Sequence, residues 1–464
     1  MKHITLILAC LLTVYGFSQT NQTPPDGMPP EMGDMPGPPP GEGNGGPAGQ
    51  RPPGEPGGPG NSAAAYARMK GVFEVKGASI SESDKTYTAT ETDQSAILVR
   101  DSSSFSLNDA IINKTGNSSD NDASSLTGLN AAFLAIGKKA TARLRDVVIN
   151  TDADGANAVL ATMGATIDVQ DIVINTTRDG SRGLHATQQG IITARDITIT
   201  TTGAHCAALA TDRGSGTVTV SDAVLTTSGD GSPGIYSTGN ITVHDVNIES
   251  GMAEAAVIEG KNSIIITDSK LIGGYQKAVM LYQSFSGDAE VGTSRFSMTG
   301  GSLTGRGGPL FFTTNTQTEI YLKQVTLINK DAGNCFYKAG ANRWGRKGSN
   351  GSDCKMTLDA QSVSGSLICD SLSTCEINLI NSSEWTGVIN QPQTAKSVNL
   401  NLDASSRLIL TADSYIDAFK NEDASCKNIS GNGFNLRYNA ENTANGWLKG
   451  TTIKLAGGGS LMPR

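Results

Sequence analysis

One feature narrows what this chain can fold into. Between residues 142 and 285 a single unit recurs six times. QDIVINTTRDGSRG, ARDITITTTG and SDAVLTTSGDGSPG are variants of it, each with an aspartate near its start. These anchors are Asp146, Asp171, Asp196, Asp222, Asp245 and Asp268, at steps of 25, 25, 26, 23 and 23 residues. A repeat of this length marks a solenoid, in which each unit buries its apolar face only against its neighbours. Such a stack grows along one axis, so 464 residues need not divide into several globular domains.

Counting from the anchors exposes the strands. Two and four residues before them lie pairs such as Val169/Ile167, Val220/Val218 and Val243/Ile241. One and three residues after them lie Val147/Ile149, Ile172/Ile174 and Ile197/Ile199. Thirteen after lie Val159, Leu184, Leu209, Ile235, Ile258 and Leu281. Period-two alternation of this kind is that of half-buried strands. The expectation is an all-β parallel β-helix with three short strands and three turns per rung of about 23–25 residues. Successive rungs then pair about 4.8 Å apart, and the coil covers the inner face that parallel strands must bury. Helix-forming runs are not expected, and NSSDNDASSLTGLN reads as a loop inserted into an early rung.

Around this block the chain divides into four parts. Residues 1–18 read as a secretory signal peptide: Lys2 and His3, an apolar run from Ile4 to Val14, then Gly16 and Ser18 before a cut at Gln19. Cys10 lies inside the apolar run rather than after it, which argues against a lipid-anchor site. Residues 19–62 hold most of the proline, little that is β-branched or aromatic, and Met28, Met32 and Met35; they read as a disordered spacer. Residues 63–440 are the expected β-helix, and 441–464 an expected capping segment. No apolar stretch is long enough to span a bilayer as a helix. The expected location is therefore secreted, periplasmic or cell-surface.

The Asp-apolar-x-apolar strand, the polar Asp-Gly turn and the Gly-apolar-x strand resemble exported right-handed parallel β-helix proteins of the pectin-lyase-like fold, over roughly residues 70–440. The resemblance, with the general preference for right-handed crossovers, supplies the handedness. It implies pectate lyases, polygalacturonases, pectin esterases, autotransporter passengers or adhesins, a range too broad to name an activity.

A net charge of −8 argues against nucleic acid as a partner. The basic run RWGRKG at 343–348 reads as a solvated loop. Six cysteines follow residue 19. Cys335 with Cys354 would staple the basic loop, Cys369 with Cys375 would close a corner, and Cys206 reads as a small core residue. No zinc spacing or phosphate loop is present, and no cofactor is required.

Chemistry is sought in the outward columns. Eight residues past the anchors, Asp154 and Asp179 would sit on adjacent rungs; with Asp152 they would suit Ca²⁺. The competing reading is Asp-Gly turn chemistry. Fourteen past the anchors lie Leu160, His185, Ala210, Tyr236, Glu259 and Tyr282, and sixteen past lie Asp212, Lys261 and others. An outward aromatic–acid–aromatic ladder suits a sugar, whose C–H face stacks on rings while its hydroxyls meet polar groups. Arg213, Asn262 and Gln283 would add to those groups. The competing reading is a solvated ladder with a Glu259–Lys261 surface ion pair. Asp212 and Glu259 fall in different columns by this count, too far apart for a glycosidase pair. The sequence thus favours a non-catalytic, exported β-helix that binds a polysaccharide or cell-surface glycan or acts as an adhesin. The rivals are a lyase or hydrolase of acidic polysaccharide and a structural spacer.

Overall fold

A computed structural model describes residues 60–464. The expected signal peptide and nearly all of the expected spacer lie outside the described residues. The chain is a right-handed parallel β-solenoid of about 16 turns. One face is a 15-stranded parallel sheet, here called the front sheet, to which each rung contributes a short strand such as Val159–Thr162, Leu184–Ala186 or Ala256–Glu259. The rest of the rung is an 11-residue strand that bends halfway, as in Thr141–Thr151, Thr166–Thr176, Ile191–Thr201, Thr217–Thr227 and Asn240–Ser250.

The bend is the anchor aspartate. Asp146, Asp171, Asp196, Asp222, Asp245 and Asp268 all adopt left-handed φ, between 47° and 56°. An isolated left-handed residue turns a strand without ending it. Asp tolerates that conformation because its short polar side chain stabilises it locally. Two of the three expected strands per rung are therefore one strand folded at an aspartate. On either side of the corner the side chains alternate, buried inside and exposed outside.

The interior is one continuous apolar column. Ile167, Ile192, Val218, Ile241 and Ile264 stack in register, and Leu184, Leu209 and Ile235 close the front. Toward the C-terminus the fill becomes aromatic: Phe296, Phe311, Phe336 and Trp385 meet edge to face at 5.3–5.7 Å. From Ser352 onward the rung flattens to two strands, Ser352–Asp359 and Ser362–Cys369, with the corner at Ala360 (φ 48°). At the end, Ile453–Lys454 pairs antiparallel with Ser460–Pro463, which adds to a four-stranded sheet with Ser414–Ile416 and Leu436–Tyr438.

Two helices correct the expectation that none would form. Helix α1 is Gly60–Arg68, and α2, Asn121–Thr127, lies inside the segment read as a loop. Asp120 caps α2 by accepting from the Ala123 amide, and Gly128 ends it at φ 84°. Its Asn, Asp, Ser and Thr content gives poor intrinsic helicity, so caps and tertiary contact carry it. Ala65 and Met69 pack with Ala123 of α2 on Leu98, Leu134 and Leu160, covering the outer face of the front sheet over its first rungs.

The cysteine expectation is also corrected. Cys206, Cys335, Cys354, Cys369, Cys375 and Cys426 are all free thiols. Cys335 lies on a front-sheet strand and Cys354 on the bent sheet, so the pairing across the basic loop is not formed. Cys206 is fully buried, as expected.

The corner makes a direct prediction. Asp222 adopts φ 54° and is solvent-exposed. Asp222→Val should lower the melting temperature, at a cost of about 1–2 kcal/mol for a β-branched residue held left-handed. Asp222→Gly should match or exceed the wild type.

Candidate functional site

The outward face of the front sheet holds the expected residues, but not in the expected columns. Between Ser250 and Ala256 the connecting turn is two residues shorter than that between Thr227 and Ile235. Tyr236 therefore pairs with Val257, and Glu259 pairs with Tyr282. Thr211 pairs with Ala186 and Ser237 with Ile258, so the next residues along, Asp212, Thr238 and Glu259, share one column. Asp212 and Glu259 are thus in the same column, two rungs or roughly 10 Å apart, which corrects their assignment to different columns. Counting from the anchors fails here because a turn changed length while the strands kept register.

Glu259 is the centre of the cluster and is 1% exposed. Its carboxylate accepts from Tyr236 Oη at 2.6 Å, Tyr282 Oη at 2.9 Å, Ser286 Oγ at 3.2 Å and from Ser284 Oγ. Tyr236 reaches it diagonally across the pair, the distance long side chains span between neighbouring strands. Burial first, then the Glu259 charge, holds both tyrosine hydroxyls well above their ordinary range, so they remain donors. The Glu259–Lys261 surface pair of the competing reading is not formed: Lys261 Nζ meets Glu290 at 3.1 Å. Asn262 donates to the backbone carbonyl of Glu259 and so fixes the turn after the strand.

The face is covered rather than open. Residues 283–290 form a strap across it, with Ser284 and Ser286 donating downward while Phe285 points outward, 68% exposed. Arg213 Nε pairs with Asp288 in the strap, and Asn315 Nδ2 donates to the Gln283 carbonyl at 2.8 Å. Tyr282 is only 8% exposed, and Trp344 lies on its ring at 5.3 Å between centroids. Arg343 stacks over Trp344 at 4.6 Å. The run read as a solvated basic loop is therefore anchored by its tryptophan. Asn350 holds the loop by donating to the Asn342 and Trp344 carbonyls at 2.7 and 2.8 Å. Ser284, Ser286, Asp288 and Trp344 were not legible as site residues, because a cover built from loops obeys no repeat.

Toward the N-terminal end a second charged group adjoins the first. Asp212 accepts from the Arg213 amide at 2.8 Å and faces Arg182 Nη2 at 3.8 Å. Arg182 also donates to Ser125 in α2 at 2.8 Å, tying the helix to the sheet. Burial pushes the Asp212 carboxyl up to about 6, against the pull of Arg182. His185 is fully buried beside Arg182 with neither ring nitrogen bonded, and burial keeps it well below its ordinary range. A neutral imidazole of this kind packs as an apolar ring between Leu160 and Ala210.

Two of the three aspartates weighed as a Ca²⁺ site have other partners. Asp152 Oδ1 accepts from Thr177 at 2.7 Å and from Arg178 at 2.9 Å. Asp179 Oδ1 accepts from the Ala204 amide at 2.8 Å, and Asp154 precedes Gly155, whose φ is 65°. Among the described residues no group of three or more His, Cys, Asp or Glu is placed to hold a metal ion. Nor is any described helix long and apolar enough to cross a membrane.

No protein-family model matches the chain, and neither a curated protein nor a solved structure matches it. The class is set by its architecture: a parallel β-solenoid of the kind seen in pectin-lyase-like proteins, which are often either non-catalytic or carbohydrate-active.

Two outcomes follow. Glu259→Ala should strand the Tyr236 and Tyr282 hydroxyls, at about 1–3 kcal/mol for each buried group left unpaired. A drop in melting temperature well beyond that of Glu259→Gln is expected. For Asp212 the folded pKa lies above the unfolded value, so the native state holds the extra proton between about pH 4 and 6. Stability contributed by this group is present below that window and lost as pH rises through it. Relative to Asp212→Asn, the wild type should lose on the order of 2 kcal/mol between those limits, read by urea unfolding across the pH range.

Proposed function

We propose that this protein is an exported, non-catalytic β-solenoid that binds a polysaccharide or cell-surface glycan, or acts as a surface adhesin, through the covered front face around Tyr282 and Trp344. The observation that carries this reading is the tilted ring contact between Trp344 and Tyr282. Tyr282 is held from behind by Glu259, and Trp344 from the side by Asn350. The result is a rigid aromatic platform, half-exposed at Trp344, beside the exposed ring of Phe285. Rings fixed in advance lose little entropy when a sugar stacks on them. In this reading the proline-rich N-terminal tract is a tether that holds the solenoid away from the surface to which the N-terminus belongs.

A second reading rests on Asp212. Its raised pKa, with Tyr236 between it and Glu259 in space, is the kind of environment that supports acid–base chemistry on a polysaccharide. Against it, Glu259 is fully engaged by hydroxyl donors within its own fold.

A glycan array on the purified protein, with a parallel assay for unsaturated or reducing-end products, separates the readings. Binding that weakens about 10-fold or more in Trp344→Ala supports the platform; about 1.4 kcal/mol of lost stacking accounts for a tenfold change. Product formation abolished by Asp212→Asn would support the second reading instead. Silence in both assays would leave a structural spacer.

A further inference from the structure

The sequence suggested Cys335–Cys354 and Cys369–Cys375 as pairs, and the fold brings Cys375 into contact with both Cys369 and Cys354. Cys354 and Cys375 are register partners on adjacent strands of the bent sheet, both facing inward and both buried. Cys369, at the end of the front-sheet strand Ser362–Cys369, is fully buried too. Cys375 is in hydrogen-bonding contact with both. Above them the same inward column reads Ser294, Thr318, Cys354, Cys375 and then Val398, so a run of polar and sulfur side chains replaces the aliphatic core seen elsewhere.

We infer that Cys354 and Cys375 close as a disulfide that staples two successive rungs, with Cys369 as the third thiol beside it. In-register neighbours in a parallel sheet have Cα atoms about 4.8 Å apart, inside the range of about 4.4–6.8 Å that a disulfide spans. Side chains on the same inner face of adjacent strands point the same way, which brings the two sulfurs toward each other without moving the backbone. Cys369 reaches Cys375 from across the corner instead, where no ladder sets the spacing. The thiol chemistry agrees. Burial raises the Cys354 thiol, but contacts from Cys375, Thr318 and Tyr337 more than offset it and leave it below the ordinary range. Its hydrogen bond with Cys354, then that with Cys369 and burial, hold Cys375 well above that range.

The step balances as thiol–disulfide exchange. The Cys354 thiolate attacks an external disulfide, such as oxidised glutathione or the active-site disulfide of an oxidoreductase, and one thiol leaves. The Cys375 thiolate then attacks the mixed disulfide, the Cys354–Cys375 bond forms, and the second thiol leaves. Two protons and two electrons pass from the cysteines to the external disulfide, which becomes two thiols. Both sulfurs are shielded in the finished core, so the bond forms while the rungs stack.

The full chain, reduced in denaturant and refolded with oxidised glutathione, tests this without depending on export. Free thiols are blocked with N-ethylmaleimide in denaturant, and the chain is cleaved after Lys355 and before Asp370, which places the three cysteines on separate peptides. The expected result is one cross-link joining the Cys354 and Cys375 peptides, with Cys369 blocked. Cys369→Ser should keep that cross-link, and reductant should lower the melting temperature of the wild type by several degrees but leave Cys375→Ser unmoved. A Cys369–Cys375 cross-link, or N-ethylmaleimide on all three cysteines, would overturn the assignment.

Discussion

Everything in this molecule depends on parallel strands staying in register from rung to rung. Each rung's amides and carbonyls are satisfied only by the rungs before and after it, so a slip at one place would orphan backbone groups down the stack. The left-handed corner residue protects that register. It turns an 11-residue strand through a corner without breaking the ladder, so Ile191–Thr201 pairs with Thr217–Thr227 on both sides of Asp196 and Asp222. Outside the corner the same stacking turns side chains into ladders, as where Asn175 donates to Asn150 at 3.0 Å and Asn150 to Asn113 at 3.1 Å.

Register also explains which parts of the fold were legible. The anchor aspartates, the inward columns and the rung length could be read from the chain because each is repeated, and repetition is what a solenoid must conserve within itself to stack. The slip of two residues after Ser250 could not be read. It lies in a turn, where length is free, yet it takes Glu259 out of the column of Tyr236 while leaving it paired with Tyr282. Helix α2 was hidden for a different reason: its composition is that of a loop, and its stability comes from Asp120, Gly128 and the apolar patch beneath it. The Cys335–Cys354 pairing was misjudged because closeness along the chain is a poor guide where neighbours in space are a full rung apart.

The covered front face follows from the same contrast between regular and irregular parts. A bare parallel sheet offers outward columns to solvent, and here three irregular insertions close over them: α2 at one end, the strap of residues 283–290 in the middle and the Trp344 loop beyond. The charged side chains beneath are consequently screened from solvent and paired within the protein. Glu259 is served by four hydroxyls, and the arginines Arg182 and Arg213 by Asp212 and Asp288. A buried network of this kind is costly if half-satisfied and rigid when complete. That rigidity holds Tyr282, and through it Trp344, in a fixed orientation at the surface.

The contrast between a ladder-locked sheet and a strap held by side chains is open to one measurement. In the strap the Ser286 and Asp288 amides bond only to the Ser284 and Ser286 hydroxyls, whereas Ala256–Glu259 and Val279–Tyr282 lie inside the ladder. Native-state hydrogen exchange read by mass spectrometry should show those two strands among the slowest-exchanging segments and residues 284–288 exchanging orders of magnitude faster. Equal exchange in strap and strands would contradict the account, because the sheet that holds the platform would then be no more rigid than its cover.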